Sequence, residues 1–284
     1  MSASLEEILG SHRTRQPVVM GILNVTPDSF SDGGEFVRGE VAVAHAREMV
    51  EQCVDVIDIG AESTRPGSRR VSAKEQIERL RDVLAPVAKM GVVLSIDTTL
   101  AEVARFAMDA GATIVNDVSA GRDDPELLPL VAERQAGLVL MHMLGQPKTM
   151  QADPQYDDVV AEVRDFLADR LQAASDAGVS RERCIVDPGI GFGKRLEHNL
   201  ALLGGVGELR TLDCPVLVGP SRKRFIGELT GIDDPRGRLG GTLAACVEAY
   251  RDGATVFRVH DVAPLVSALA VARGLESTDR GGRR

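Results

Sequence analysis

Short apolar segments alternate with amphipathic segments eight times along this chain of 284 residues, and this alternation restricts the fold more than any other feature. The apolar segments have the length of buried strands, and the amphipathic segments have the apolar spacing of helices that cover a sheet. The predicted strands are residues 18–23, 54–59, 92–96, 113–115, 137–141, 184–186, 215–218 and 255–259. The predicted helices between them are residues 40–52, 73–89, 100–110, 125–134, 157–177, 196–210, 238–252 and 263–273.

Eight strand–helix units over roughly 250 residues predict a closed barrel, so we expect a single-domain α/β protein with the TIM (β/α)8 fold. Four glycines, Gly111, Gly137, Gly178 and Gly253, stand where helices should end and the chain should return to a strand. The alternative is an open, doubly wound sheet. Against it, no GxGxxG motif follows the first strand.

A glycine-rich segment at residues 188–194 resembles a phosphate-binding loop at first sight. Pro188 stands where a Walker A motif requires glycine, and Arg195 follows Lys194 where serine or threonine is required. The segment therefore does not indicate a nucleotide-binding enzyme of that class.

The segments outside the barrel are short. Ser4 followed by Glu7 has the pattern of a capping box, which predicts a short helix within an N-terminal extension of residues 1–16. The barrel is expected over residues 17–275. Residues 276–284 are polar and rich in glycine and arginine, and we predict a disordered tail there.

Charge and cysteine content exclude several classes of protein. The formal net charge is −9 and no basic stretch dominates, which argues against a nucleic-acid partner. The four cysteines form no CxxC pair and predict free thiols in a reducing compartment. The N-terminal segment lacks the apolar region of a secretory signal, and no apolar run approaches the ~20 residues of a membrane helix. We therefore expect a cytoplasmic protein without a membrane partner.

Polar residues stand at or near the carboxyl end of every predicted strand. In strand order they are Asn24, Asp58, Asp97, Asn116, His142, Asp187, Ser221 with Arg222 and Lys223, and Arg258 with His260. In a (β/α)8 barrel all these positions surround one mouth, where catalytic groups lie. Gathering ionisable groups beside apolar surface costs free energy unless they pair or bind a ligand. The mouth is therefore predicted to be a functional site.

The polar residues divide into two chemical sets. One set presents acceptors, an amide and a cation, and consists of Asp97, Asn116, Asp187 and Lys223. Such a set can recognise the edge of a flat heterocycle. The other set offers donors to an anion such as phosphate, and consists of Asn24, Arg258 and His260 on the first and last strands. We predict a heterocycle pocket beside an anion pocket.

Several features of the sequence allow two interpretations. The Gly/Ser-rich loops 26–34 and 62–68 are either ordinary barrel loops or mobile covers that bring Asp32 and Arg65 over a substrate. Asp58 lies inside an apolar run and is either a buried structural acceptor or a group of the mouth. His142 is either structural or catalytic and is left out of the site, and Lys194 either lies on the catalytic face or begins a helix in solvent.

Seven segments resemble, in sequence and in order, motifs of the dihydropteroate synthase family, a group of pterin-binding TIM barrels. They are residues 24–34 (NVTPDSFSDGG), 58–67 (DIGAESTRPG), 95–98 (SIDT), 116–119 (NDVS), 187–194 (DPGIGFGK), 221–223 (SRK) and 258–260 (RVH). The similarity extends from about residue 18 to residue 274. The main departure is Ala61, where many members have a second glycine, and it exchanges one small residue for another.

The resemblance implies a transferase of folate biosynthesis that uses Mg²⁺. Such an enzyme condenses (7,8-dihydropterin-6-yl)methyl diphosphate with 4-aminobenzoate (p-aminobenzoate), giving 7,8-dihydropteroate and pyrophosphate. The p-aminobenzoate pocket is the target of sulfonamides in this family. The partners it implies are these two small-molecule substrates and a second copy of the chain, since family members are commonly homodimers.

The resemblance also implies roles for individual residues. The pterin would be bound by Asp97, Asn116, Asp187, Lys223 and Thr64, and the pyrophosphate by Arg258 and His260, with Asn24 holding Mg²⁺. The loop residues that order over the site would be Phe30, Asp32 and Arg65. The p-aminobenzoate pocket would be bordered by Ser221, Phe192 and Pro66. The residues expected to act in catalysis are Asp97, Asp187, Lys223, Arg258 and His260, which would stabilise charge on the pterin or on the leaving pyrophosphate.

Two alternatives accompany this interpretation. A corrinoid-dependent methyltransferase binds a reduced folate in a similar barrel, but its chemistry needs no pyrophosphate site, so segments 24–34, 221–223 and 258–260 favour the synthase. A paralogue that binds pterins without turnover would be expected to lack a pyrophosphate or loop residue, and all of them are present.

Overall fold

The computed structural model describes residues 3–26, 35–63, 68–145 and 149–281, apart from the side chains of residues 35–38 and 277–281. The strands in this part of the chain are β1 (Val18–Asn24), β2 (Val56–Gly60), β3 (Val93–Asp97), β4 (Ile114–Asp117), β5 (Gly137–Met141), β6 (Cys184–Asp187), β7 (Leu217–Val218) and β8 (Val256–Val259). They form one eight-stranded sheet in the order β6-β5-β4-β3-β2-β1-β8-β7.

The sheet closes on itself. All its strand pairs are parallel, including the pair of β1 with β8. Between β6 and β7 the closure is a parallel bridge from Val186 to Val216, beside which the Val186 amide donates to the Pro215 carbonyl at 2.9 Å. The predicted TIM barrel is therefore confirmed.

Helices surround the sheet and follow the strands as expected. Over the described residues they are α1 (Leu5–Leu9), α2 (Ser11–Thr14), α3 (Glu35–Glu51), α4 (Ala73–Ala88), α5 (Ala101–Asp109), α6 (Leu127–Arg134), α7 (Val159–Asp176), α8 (Leu196–Gly204), α9 (Val206–Leu209), α10 (Arg224–Thr230), α11 (Leu239–Asp252) and α12 (Val262–Gly281). The single helix expected over 196–210 is interrupted at Gly205, which separates α8 from α9. The sequence did not predict α10. None of the helices described is long and apolar enough to span a bilayer.

The N-terminal extension closes the amino end of the barrel. The capping box of α1 is present, because the Ser4 hydroxyl accepts from the Glu7 amide and the Glu7 carboxylate accepts from the Ser4 amide. Ile8 and Leu9 of α1 are buried against the first inward residues of the strands. At the other terminus α12 continues to Gly281. A disordered tail was expected from residue 276, but from there to Gly281 the structure shows a helix.

Three of the four glycines expected at helix ends, Gly111, Gly178 and Gly253, have positive φ as that role requires. Gly137 does not, and that expectation was wrong. Gln135 adopts the left-handed conformation after α6, with φ of 50°. Gly137 instead begins β5, where a Cβ would lie 3.1 Å from the Ile114 side chain.

Inward side chains recur every second residue along each strand, and this period positions the site. The lower layer of the barrel interior is apolar and includes Val56, Ile114, Ile185 and Val256. Two residues further along the same strands the layer becomes polar, with Asp58, Asn116, Asp187 and Arg258. A polar layer over an apolar one leaves these groups at the carboxyl-end mouth of the barrel.

Candidate active site

A buried ionic network lies at the centre of the mouth. Arg258 donates from Nε to Asp58 Oδ2 at 2.7 Å and from Nη2 to Asp97 Oδ2 at 2.8 Å. The Asn116 amide donates to the same Asp58 oxygen at 3.0 Å. Asp58 is fully buried and Asp97 is 9 % exposed. Because removing such charges from water costs several kcal/mol each, the pairing with Arg258 is what permits two carboxylates here.

The network perturbs the ionisation of its members. Burial raises the pKa of Asp97 above its ordinary value, and the nearby Asp58 raises it further, while Arg258 opposes both. Burial alone would lower the pKa of Arg258, but Asp58 and Asp97 outweigh it and raise that pKa. The guanidinium therefore stays charged, and Asp97 is more easily protonated than an ordinary carboxyl group.

Arg258 does not follow the predicted division of the mouth into two pockets. Its guanidinium contacts Asp97, a member of the predicted heterocycle set, rather than standing apart with Asn24 and His260. The strand and depth of Arg258 were predictable from the sequence, but the direction of its side chain was not, because its partner Asp58 is 200 residues away. The two predicted sets are therefore joined through this arginine.

Lys223 and Asp187 form the opposite side of the mouth. The Lys223 ammonium donates to the Ile190 carbonyl and lies 4.4 Å from the centre of the Phe192 ring. Burial lowers the pKa of Lys223 to about 8, against the opposing effect of Asp187. Burial also raises the pKa of Asp187, which Lys223 opposes, and one Asp187 oxygen accepts from the Gly189 amide at 2.7 Å.

A strained residue connects Ser221 to Lys223. Arg222 has a φ of 59°, a left-handed conformation that costs about 1–2 kcal/mol for a residue with a side chain. Its guanidinium offsets this cost by pairing with Asp261 through two bonds, of 3.0 and 2.6 Å. The turn buries Ser221 beside His260 while Lys223 reaches the loop after β6.

Ser221 and His260 are hydrogen-bonded to each other, a partner that the sequence did not reveal. Ser221 Oγ lies 2.9 Å from His260 Nδ1 and accepts from the His260 backbone amide at 3.2 Å. When the serine donates to Nδ1, the ring proton is on Nε2, which makes that nitrogen a donor. The pair therefore suits anion binding without requiring a covalent nucleophile.

The surroundings of Asn24 suit a hard cation. Asn24 ends β1, and its Oδ1 and Asp97 Oδ2 each lie 3.6 Å from the point where a Cβ on Gly60 would stand. Among the described residues, no group of three or more His, Cys, Asp and Glu could hold a metal. A cation beside Asn24 would take its other ligands from substrate oxygens and water, which is the habit of Mg²⁺. The residues present fit Mg²⁺ bound together with a diphosphate.

The structure places nine of the predicted site residues at the mouth or beside it. They are Asn24, Asp97, Asn116, Asp187, Phe192, Ser221, Lys223, Arg258 and, beside Ser221, His260. Five others lie outside the described residues: Phe30, Asp32, Thr64, Arg65 and Pro66. Asp58 was left open by the sequence and is the shared acceptor of the network. Asp58 lies two residues before Gly60, at a position of β2 whose side chain faces into the barrel. This position is the sequence signal that favours a role for Asp58 in the mouth.

Comparisons with known proteins agree with this geometry. Residues 20–260 match the family model described as "Pterin binding enzyme". The dihydropteroate synthase of Synechocystis sp. is 46 % identical over 262 residues, covering 92 % of this chain and 91 % of the relative. The Xanthomonas albilineans dihydropteroate synthase with 4-aminobenzoic acid has a TM-score of 0.87 and 47 % identity, covering 92 % of this chain and 93 % of that one.

The same Xanthomonas albilineans enzyme in complex with 7,8-dihydropteroate has a TM-score of 0.83 and 44 % identity, with 92 % of this chain and 94 % of that chain covered. Because these relatives match along nearly all of both chains, the similarity extends to the whole barrel and its mouth.

Proposed function

The chain belongs to the pterin-binding enzyme family and, within it, to the dihydropteroate synthases, and we propose that the polar mouth of its barrel performs their condensation. The substrates are dihydropterin pyrophosphate and p-aminobenzoate, and the products are dihydropteroate and pyrophosphate. The observation that carries the assignment is the convergence of the buried Asp97, Asn116 and Asp187 with the half-buried Lys223 beside Arg258.

The pterin ring carries donors and acceptors along one flat edge. Asp97 and Asp187 present carboxylate oxygens to its donors, and Asn116 and Lys223 present N–H groups to its acceptors. Because Asp97, Asn116 and Asp187 are buried and Lys223 is held by the Ile190 carbonyl, little reorganisation is needed when the ring enters. The same burial excludes water from the exocyclic methylene that reacts.

The reaction forms one bond and breaks another at that methylene carbon. The aniline nitrogen of p-aminobenzoate bonds to the carbon, the C–O bond to the diphosphate breaks, and its electron pair leaves on the pyrophosphate. One aniline proton is released. Because aniline is a weak nucleophile, the leaving group departs early and positive charge spreads into the pterin, where Asp97 and Asp187 stabilise it.

The leaving pyrophosphate accumulates negative charge opposite the pterin. His260, held by Ser221, donates to this anion, and the charge of Arg258 stabilises it across the network. Mg²⁺, held through the Asn24 side-chain oxygen, would neutralise the diphosphate when bound. Phe192 and Ser221 border the space for p-aminobenzoate, which lies on the Lys223 side of the mouth.

The Asn24→Ala variant tests the metal site. Without the amide oxygen, the Mg²⁺ concentration for half-maximal turnover is expected to rise about tenfold, the typical effect of losing one oriented ligand group. The measurement is initial velocity against Mg²⁺ at saturating substrates. Asn24→Asp, which keeps an oxygen ligand, is the matched control and should need a Mg²⁺ concentration close to that of the wild-type protein. An unchanged Mg²⁺ requirement in Asn24→Ala would contradict the assignment.

The ionisation of Lys223 tests the pterin pocket. Its pKa of about 8 lies below the ordinary value, so its positive charge is complete at lower pH and is lost as pH rises through 8. Pterin affinity measured by calorimetry is therefore expected to fall by several-fold between about pH 7 and about pH 9.

The control for this titration is Lys223→Met, which should bind the pterin weakly at every pH. It removes the titrating side chain and leaves the ionisation of the pterin itself. If wild type and Lys223→Met showed the same pH dependence, Lys223 would not be the group that contacts the ring.

We infer two further properties from the family and from the surface. Val271 and Leu275 on α12 are 62 % and 54 % exposed, and such apolar exposure on the last helix supports a homodimer interface. Cys184, Cys214 and Cys246 are buried free thiols, which supports a reducing, cytoplasmic location.

A further inference from the structure

Two buried groups in the loop region after β5 and β6 have no part in the proposed chemistry. Lys194 is 4 % exposed and His142 is 5 % exposed. Lys194 Nζ lies 2.9 Å from His142 Nδ1 and donates to the Phe192 carbonyl at 3.0 Å. Burial lowers the pKa of the Lys194 amine well below its ordinary value, and burying such a polar group is costly, so its retention at the edge of the mouth requires an explanation.

The loop that carries Phe192 is held by an unusual row of bonds. Each of its four consecutive carbonyls, from residue 190 to residue 193, accepts a hydrogen bond from a different side chain. In order, the donors are Lys223 to Ile190, Gln151 to Gly191, Lys194 to Phe192, and Tyr156 to Gly193. We name residues 190–193 the carbonyl row.

Glycine allows this loop to approach the neighbouring strand end closely. Gly189 has a φ of 67°, and a Cβ there would overlap the His142 carbonyl oxygen. The His142 amide in turn donates to the Asp187 carbonyl at 2.9 Å. The end of β5 and the start of the carbonyl row are therefore in direct contact. Lys194 lies beside this contact and bonds to both His142 and the Phe192 carbonyl.

His142 is suited to accept from Lys194. Burial and the adjacent Lys194 lower the pKa of His142 to about 2, so the imidazole is neutral and Nδ1 carries a lone pair. Its ring is packed edge-on against Phe166 with centroids 4.8 Å apart, which fixes its orientation. Lys194 thus joins a rigid acceptor immediately after β5 to the carbonyl of Phe192.

We propose that Lys194 and His142 form a positioning pair for the p-aminobenzoate subsite, an inference that rests on the proposed function. By fixing the Phe192 carbonyl, the pair holds the Phe192 ring 4.4 Å from the Lys223 ammonium, at the border of that subsite. Lys194 acts through Phe192 and does not touch the reacting atoms. The pterin side is less affected, since Lys223 keeps Asp187 and the Ile190 carbonyl as partners.

The first test is Lys194→Met, which keeps the length of the side chain but removes its donors. The KM for p-aminobenzoate is expected to rise about tenfold, as for the loss of one oriented contact, with pterin affinity changed less than about threefold. Lys74→Met, at an exposed lysine of α4, is the control and should leave both constants unchanged.

The second test asks whether the effect passes through Phe192. In a Phe192→Ala background, Lys194→Met should cause no further increase in the KM for p-aminobenzoate, because the ring it positions is gone. An equal increase in both backgrounds, or no increase in either, would overturn the proposal. A general loss of stability would lower Tm without this dependence on Phe192.

If Lys194→Met does not fold, two variants of His142 test the proposed positioning pair instead. His142→Asn keeps an acceptor near the Nδ1 position and should retain a near-normal KM for p-aminobenzoate, whereas His142→Phe keeps a ring and should raise it. Equal constants for the two variants would refute the pair. Absence of dihydropteroate formation by the wild-type protein would instead refute the proposed function, so the two failures are distinguishable.

Discussion

Asp97→Asn is expected to reduce kcat/KM for dihydropteroate formation by about 10²- to 10³-fold, with the fold retained. Asparagine preserves the shape of the side chain and an acceptor for Arg258, but it removes the negative charge. That charge faces the pterin as pyrophosphate leaves, so the loss falls on the transition state more than on substrate binding. Steady-state kinetics with each substrate varied in turn measures the effect.

The matched control for Asp97→Asn is Asp55→Asn at the opposite end of the barrel. Asp55 is a half-buried carboxylate that accepts from the Val19 amide at 2.8 Å, far from the mouth. Its replacement should leave kcat/KM within about twofold of wild type even where it lowers Tm. Near-normal turnover of Asp97→Asn would remove Asp97 from the catalytic residues.

Arg258→Met is expected to lower the free energy of unfolding by about 3–5 kcal/mol at neutral pH, besides reducing activity. The substitution leaves Asp58, which is fully buried, and Asp97 without the cation that bridges them. Urea denaturation provides the measurement. Arg134→Met is the control, since its ion pair with Asp109 is on the surface and should contribute less than about 1 kcal/mol.

The destabilisation should depend on pH in a defined direction. Without Arg258 the pKa of Asp97 rises further above its unfolded value, so the folded state binds more protons than the unfolded state near neutral pH. The stability of Arg258→Met therefore falls as pH rises, and its deficit relative to wild type should be smaller at about pH 5 than at about pH 8. A deficit that is constant with pH would show that lost packing, rather than unpaired charge, is the cause.

The strands were predictable because each is buried on both faces and reads as an apolar run. β5 was predicted to the residue, and β1 extends one residue further than expected, to Asn24. β7 is shorter than the predicted 215–218, since Pro215 has no amide to donate and Val216 forms only an isolated bridge. Once the strand ends are known, counting residues along each strand identifies the polar residues at the carboxyl-end mouth. The position of the site was predictable for this reason.

Side-chain direction and long-range pairing were not predictable in the same way. The partnership of Arg258 on β8 with Asp58 on β2 spans the intervening strand β1, and no local pattern encodes which of several carboxylates an arginine will meet. The pairing of Lys194, in the loop after β6, with His142, at the end of β5, was unpredictable for the same reason. The helix α10 was missed because its seven residues, Arg224–Thr230, are too few for a clear apolar period.

The central claim is that this mouth joins p-aminobenzoate to the pterin with release of pyrophosphate. The most direct measurement is the stoichiometry of products when purified protein is given dihydropterin pyrophosphate, labelled p-aminobenzoate and Mg²⁺. We expect dihydropteroate and pyrophosphate in equal amounts. Pterin binding without either product, or pyrophosphate release without dihydropteroate, would contradict the account.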